Sequence, residues 1–443
     1  MTRPLISIVI PTRDRPDTLR LCLAALRLQA CEDVEILVQD NASAPDTRQI
    51  IEEAARLDPR IVYKRSDARL SQRANFEAGL AAASGDYLGI IGDDDGFCLG
   101  RFAWLSTLLR AQKPDAVRWP ALTYIWPNLS AKNVGFFQLS YRKMHGGWAR
   151  KATKDLARKI VKAKMPGSWE SILVYHGLIS RTLYEVMRAR SGGTFFKYHI
   201  PDVYVHNVLP FISDARLSGT YIEVTHPVAI YGLSGSSSGS SWYAEKKSQA
   251  GDNTPGEKWL KEAMTDAECT VPHQKAIRTL KYHDYVSLML AHSQGLLNGA
   301  TPDFDRWTDA MIKEVRKNPG QLEAFVSARP MFDFDAAVFA KIRGHFKDAP
   351  AYTPPAPGAN ANLHTFSDDW KAQSKTAAIL PLKAADGQQG DDILGATHVL
   401  AGFLDDEFGL QKSNLWHRIR ALAHRKRVRQ KVQDFYRATR GKA

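Results

Sequence analysis

Short runs that are apolar throughout alternate, over the first hundred residues, with stretches in which apolar positions recur every three or four residues. Leu5-Ile6-Ser7-Ile8-Val9-Ile10 predicts a strand closed by Pro11. Leu19, Leu23 and Leu26 then share one face of a helix expected over 17–28. The pair of signals repeats as a strand at Val34–Val38 with a helix at 47–57, and a strand at Ile61–Tyr63 with a helix at 73–83. A fourth strand, Tyr87–Ile91, runs into Gly92-Asp93-Asp94-Asp95. Apolar strands joined by crossover helices predict an α/β fold: a mostly parallel, Rossmann-like sheet covered on both faces by helices. Ligands of such sheets bind beyond the carboxyl ends of the strands. The polar residues collect at those ends, as Thr12-Arg13-Asp14, Asp40-Asn41 and the three aspartates.

Strand and helix signals mix from 116 to 241, where the chain passes through a Gly/Ser-rich run, Gly232–Ser241. Beyond Gly256 it reads as mainly helical, with apolar spacing at Ile277, Leu280, Val286 and Leu290. The expected organisation is a sheet domain over 1–242, in two halves at 1–115 and 116–242. A helical region at 243–348, a Pro-rich linker at 349–362 and a C-terminal region at 363–443 with a basic tail follow.

With 443 residues and 44% hydrophobic residues, the chain can bury several domains' worth of core. No apolar run approaches the roughly 18 residues that span a bilayer, and no secretory leader opens the sequence, so a cytoplasmic protein is expected. Cys22, Cys31, Cys98 and Cys269 are scattered without metal-ligand spacing, which suits free thiols. The net charge of +13 is concentrated: Gln411–Ala443 carries eleven Lys/Arg against Asp434, and Arg142–Lys164 nine against Asp155. In the second block Trp148, Ala152, Leu156 and Ile160 recur every four residues, predicting a cationic amphipathic helix. This segment and the basic amphipathic tail suit the anionic inner face of the plasma membrane, or are the polar faces of packed helices. No nucleic-acid module is recognisable.

Three consecutive aspartates at a strand end repel one another, by about 4 kcal/mol per pair at 4 Å and an effective dielectric of 20. A hard divalent cation relieves that, and it typically takes one or two carboxylates together with substrate phosphates. A solvated Asp-Gly turn is the alternative.

Four stretches carry a resemblance to a known family. They are Ser7-Ile8-Val9-Ile10-Pro11-Thr12-Arg13-Asp14-Arg15, Ile36–Ser43, Asn75-Phe76-Glu77-Ala78-Gly79-Leu80, and Ala83–Asp95. In this order they resemble the family-2 glycosyltransferases of the GT-A fold, inverting enzymes that use nucleotide-sugar donors. The resemblance implies that Pro11, Thr12 and Arg13 lie under the nucleotide, that Asp40 meets the base, and that Asp94, alone or with Asp93, meets the ribose. It implies Asp95 as the ligand of Mg²⁺ or Mn²⁺, with Arg73 or Asn75 lining the donor site. Arg13 and Arg15 read equally well as solvated loop charges. A general base is expected about a hundred residues later, where Ile200-Pro201-Asp202 makes Asp202 the candidate, or else a helix N-cap. The family's Pro-x-x-x-Tyr-Arg-x-His becomes Pro227-Val228-Ala229-Ile230-Tyr231-Gly232-Leu233-Ser234, without its Arg and His. His226, just before this stretch, is either a substitute metal ligand or a structural histidine beside Pro227. The Gly/Ser run after it is either a lid over the diphosphate or a linker.

The expected function is a metal-dependent inverting transfer from a nucleotide-sugar, by default a UDP-sugar, to a glycan or lipid-linked acceptor in surface polysaccharide biosynthesis. The alternative is a non-catalytic nucleotide-sugar-binding relative that scaffolds such a synthesis complex. A nucleotidyltransferase would need glycines after the first strand, and Pro11–Arg15 has none. Oligomeric state is open.

Overall fold

The computed structural model describes residues 3–120, 122–126, 136–139, 147–167, 170–237, 255–272, 277, 279–347, 378–381 and 393. The expected linker at 349–362, the tail at 411–443, residues 142–146 of the second basic block and 238–241 of the Gly/Ser run lie outside them. The chain runs through β1 (Ile6–Thr12), α1 (Pro16–Arg27), β2 (Val34–Asp40), α2 (Pro45–Leu57), β3 (Ile61–Arg65), α3 (Gln72–Ala82), β4 (Tyr87–Ile90) and β5 (Gly96–Phe97). It continues with α4 (Arg101–Gln112), β6 (Ala116–Arg118), β7 (Leu122–Ile125), β8 (Phe136–Leu139), β9 (Trp148–Ala152), α5 (Thr153–Val161), β10 (Gly177–Ser180) and α6 (Arg181–Arg190). Then come α7 (Pro201–Arg216), β11 (Thr220–Val224), β12 (Ala229–Leu233), α8 (Pro255–Thr265), α9 (Leu280–Ser293), α10 (Phe304–Lys317), α11 (Leu322–Val326), α12 (Ala336–His345) and β13 (Ala378–Pro381).

The main sheet has the order β3-β2-β1-β4-β10-β6-β11-β9. Its first four strands are parallel, in the register Thr12↔Asp40 and Asp40↔Arg65. That register brings the carboxyl ends of β1, β2 and β3 level. β10 enters antiparallel between β4 and β6, and β9 closes the far edge. A second sheet, β13-β8-β7-β12-β5, runs parallel only between β7 and β12. The expected α/β sheet flanked by helices is the observed fold.

Local chemistry explains the helix starts. Pro16, Pro45 and Pro201 each open a helix, where a missing N–H costs nothing. Ser71 and Ser180 cap α3 and α6 by accepting from the N–H of Ala74 and Leu183. Inside α7, Pro210 cannot donate to the His206 carbonyl, and Ser171 Oγ supplies that bond at 2.6 Å.

Alternation along β1 splits the core between the two sheet faces. Ile6, Ile8 and Ile10 pack with Leu19, Leu23 and Ile51, whereas Val9 joins Leu37, Leu88 and Ile90 on the other side. The second cluster runs on through Val208 and Ile212 of α7 to Tyr282, Tyr285, Trp307 and Phe339, so the helical region shares the core of the sheet domain. The expected cationic helix over 148–160 is corrected in its first half. Trp148–Ala152 is a strand, paired antiparallel with β11, and the helix begins at Thr153. In α5, Leu156 and Ile160 face the core while Lys154, Arg158 and Lys159, and Lys162 at its C-terminal cap, are exposed. The apolar stripe is used for packing, worth about 1.5–3 kcal/mol per buried side chain. No helix among the described residues is long and apolar enough to cross a membrane.

Candidate active site

The loops leaving β1 and β2 carry backbone strain: Asp14 and Ala42, neither a glycine, have φ of +53° and +50°. They are locked together by Asp14 N–H donating to Ser43 Oγ (3.0 Å) and Ala44 N–H donating to Asp14 Oδ1 (2.9 Å). Against these loops sits the acidic turn after β4, whose three carboxylates have different partners.

Asp93 and Asp94 face a guanidinium. Arg15 Nη1 lies 2.6 Å from Asp93 Oδ1 and Nη2 lies 2.8 Å from Asp94 Oδ2. Thr12 Oγ1 donates to Asp93 Oδ2 at 2.6 Å, and Ser234 Oγ donates to Asp94 Oδ2 at 2.6 Å. Trp126 Nε1 holds the Asp94 carbonyl at 3.0 Å. Burial pushes the Asp93 carboxyl above the usual carboxylate range, with Arg15 pulling the other way and Asp94 adding to the rise.

Asp95 turns inward and has no exposed surface. Its Oδ1 accepts from Gly232 N–H at 2.6 Å. Its Oδ2 accepts from Gly92 N–H, from Tyr175 Oη at 3.2 Å and from His176 Nε2 at 2.8 Å. His176 has φ +54° and stacks edge-on with Tyr175 and Tyr231. Burial first, then the fields of Asp95, Asp94 and Asp202, push the Tyr231 phenol up.

Gly232 stands where the resemblance leads one to expect an arginine, and the reason is steric. A Cβ there would lie 1.8 Å from the Asp94 carbonyl oxygen. Only glycine lets β12 approach closely enough to donate to Asp95.

The other expected site residues are distributed as follows. Pro11, half-buried, and Thr12 stand at the end of β1, Thr12 supporting Asp93. Arg13 reaches away to Glu262 at 2.7 Å. Asp40 is sealed: Oδ1 accepts from Ser43 N–H (2.9 Å), and Oδ2 from Tyr63 Oη (2.8 Å) and Arg65 Nη1 (2.6 Å). Arg73 forks onto Asp266 at 2.6 and 3.0 Å. Asn75 is buried one turn from the start of α3, its Oδ1 without a protein partner. His226 packs edge-on against Trp104, close to Arg101, and burial holds its imidazole down at about 3. The histidine at Asp95 is His176.

Asp202 lies in the first turn of α7, half-buried. It does not cap the helix, because Ile200 holds that position. Burial raises its carboxyl above the usual range while His206, one turn on, lowers it.

Mg²⁺ or Mn²⁺ can be tested against these donors. Asp95 does not fit, since four internal donors saturate it. Asp93 and Asp94 fit: two carboxylates already bridged by one cation, with hydroxyls around them, form an all-oxygen set for a hard ion. Among the described residues no group of three or more His, Cys, Asp or Glu is placed to hold a metal. Two protein ligands are the usual complement when substrate phosphates supply the rest.

Arg15 and His176 are the residues that sequence reasoning passed over. Arg15 read as a possible loop charge, and His176 is a lone histidine before a strand. Their signals, a fork onto two acids and a left-handed backbone, are tertiary.

Residues 7–117 match the family model described as Glycosyl transferase family 2. The abequosyltransferase RfbV of Salmonella typhimurium is 32% identical over 149 residues, 33% of this chain and 41% of that protein. The GalNAc(5)-diNAcBac-PP-undecaprenol beta-1,3-glucosyltransferase of Campylobacter jejuni is 31% identical over 108 residues, 24% of this chain and 34% of that one. The chain thus spans less than half the length of either relative. The solved structure of S. aureus TarS 1–349 with UDP-GlcNAc aligns over 79% of this chain and 93% of its own, at 12% identity and a TM-score of 0.40. Through residues 7–117, its N-terminal sheet and the acidic turn that ends it, the chain is similar to the family-2 glycosyltransferases.

Proposed function

We propose that the protein is an inverting glycosyltransferase that moves a sugar from a nucleotide-diphosphate-sugar, a UDP-sugar by default, to a glycan or lipid-linked acceptor in surface polysaccharide or O-antigen biosynthesis. One observation carries the reading. The Asp93–Asp94 pair stands at the level carboxyl edge of a parallel sheet, inside the family-2 segment, and Asp202, in the first turn of α7, acts electrostatically together with Asp94 and Asp95 on the Tyr175 and Tyr231 phenols. The names of the two curated relatives support sugar transfer, and that of the Campylobacter enzyme a lipid-pyrophosphate acceptor.

In this reading Asp93 and Asp94 hold Mg²⁺ or Mn²⁺, which when bound offsets the negative charge of a departing nucleoside diphosphate. Thr12 fixes Asp93 and Ser234 fixes Asp94, so the pair is oriented before substrate arrives. Asp202 takes the proton of the acceptor hydroxyl as that oxygen attacks the anomeric carbon from the face opposite the nucleotide. Burial raises its basicity toward the working pH. Asp95 positions: it ties Gly92, Tyr175, His176 and Gly232 into one wall.

A thermal-shift screen of UDP-, GDP- and dTDP-sugars with and without Mn²⁺ identifies the donor, because a ligand bound only to the native state raises its melting temperature. With that donor, Asp202→Asn is expected to lower transfer by about 10²–10⁴-fold while leaving donor affinity within a factor of about two. Full transfer by the variant would move the base elsewhere. No stabilisation by any donor would leave only a scaffold.

A further inference from the structure

The cation that holds the acidic pair in this structure belongs to the chain itself. Arg15 spans Asp93 Oδ1 and Asp94 Oδ2 with its two terminal nitrogens, donates to Ser234 Oγ at 2.7 Å, and reaches Ser236 Oγ from Nε at 3.2 Å. Both carboxylates are almost wholly buried, and the guanidinium is 20% exposed. The other basic side chains nearby have partners of their own: Arg13 is bonded to Glu262 and His176 to Asp95. A planar fork bonded to two carboxylates is the strongest arrangement an arginine makes. It occupies one oxygen of each carboxylate, and a second cation brought onto the same pair would be repelled by the guanidinium.

We propose that Arg15 is the resident counter-ion of this site, so that the free protein offsets part of the pair's negative charge without metal and a divalent cation enters only by exchange with the guanidinium. The inference rests on the metal-dependent reading above. It adds an order of events. Metal alone binds weakly, because Arg15 must leave the carboxylates without a new anionic partner. When a nucleoside diphosphate is present, its phosphates receive the displaced guanidinium, which is well shaped for them. The exchange also takes Arg15 away from Ser234 Oγ and Ser236 Oγ in the turn after β12, while Ser237 Oγ stays on Asp94 Oδ2. Ser234 Oγ keeps a second bond, to Asp94 at 2.6 Å, which stays with whichever cation is present.

The test uses the full chain and Mn²⁺ alone, followed by loss of the free-ion electron paramagnetic resonance signal, without turnover. Arg15→Gln is expected to bind Mn²⁺ at least tenfold more tightly than the wild type in the absence of nucleotide. Saturating UDP is expected to tighten the wild type far more than the variant. Arg15→Lys keeps a charge but cannot fork to both acids, and is expected between the two. Circular dichroism establishes that each chain is folded, and the Lys variant decides the matter if the Gln variant is not. Equal Mn²⁺ affinity in wild type and variants, with or without UDP, overturns the inference while the metal reading stands. No Mn²⁺ uptake by any chain under any condition overturns both.

Discussion

Residues 12–95 bring the site its charges, whereas residues 126–237 bring it almost only neutral donors. Arg15, Asp93, Asp94 and Asp95 come from the first stretch, and Trp126, Tyr175, His176, Gly232 and Ser234 from the second. The two contributions differ in how they are encoded. The charges stand at the ends of consecutive parallel strands, so the sheet itself delivers them to one edge. The donors reach their acceptors from far along the chain, 137 residues away for Gly232 and Asp95. They depend on β12 lying against the acidic turn. Charge is therefore placed by local topology, and its fine orientation by long-range packing.

The most damaging way to break that partnership is Gly232→Ala. The new methyl would meet the Asp94 carbonyl, and the strand can yield only by giving up its bond to Asp95. A loss of about 4 kcal/mol of unfolding free energy is expected, with loss of donor binding, read by urea denaturation and thermal shift. A milder variant removes one donor and leaves the strand in place. His176→Ala takes a hydrogen bond from a buried carboxylate and is expected to cost about 2 kcal/mol. It should weaken Mn²⁺ binding less than Asp94→Asn does, because Asp95 is a wall and Asp94 a ligand in the reading above.

The smallest effect sharpens the comparison from outside the site. His226 belongs to the second stretch but packs on Trp104, and burial holds its imidazole down at about 3. The unfolded chain protonates that ring below about 6.5 and the folded chain does not, so its contribution to stability is intact above that pH and is lost as pH falls towards 3. His226→Phe is expected to flatten the fall of stability between pH 6.5 and 4 by about one proton, some 1.4 kcal/mol per pH unit. Donor and Mn²⁺ binding at neutral pH should not change. A drop in Mn²⁺ affinity would restore His226 as a ligand.

These contrasts also mark what a reader of the sequence can see. β1 to β4 were legible because each carries a short, mostly apolar run, and the level strand ends made the acidic turn stand out. The division of labour inside Asp93–Asp95 was not legible. Three identical residues in a row carry no sign that two face a guanidinium and the third faces inward. Arg15 read as a loop charge because its partners lie 78 and 79 positions later, while Asp40 and Arg73 looked available because Tyr63, Arg65 and Asp266 were not yet beside them. The four-residue spacing from Trp148 suggested a helix, but pairing with β11 claimed the first five residues as an edge strand. The Gly in place of the family's Arg read as a missing function, and its structural meaning is a clearance of less than one methyl group.

The segment that follows the sheet domain also bears on how this protein could be cut or recombined. α8 and the turn behind it place Glu262 on Arg13 and Asp266 on Arg73, with Ser71 bonded to the same carboxylate. Arg73 is almost wholly buried and would be left as a stranded charge, at a cost of about 3–5 kcal/mol, in any chain ended at 242. A transplant of this sheet domain onto another C-terminal partner would therefore have to bring its own acid to that spot. Lineages that exchange such halves should either keep the arginine and the aspartate together or lose both.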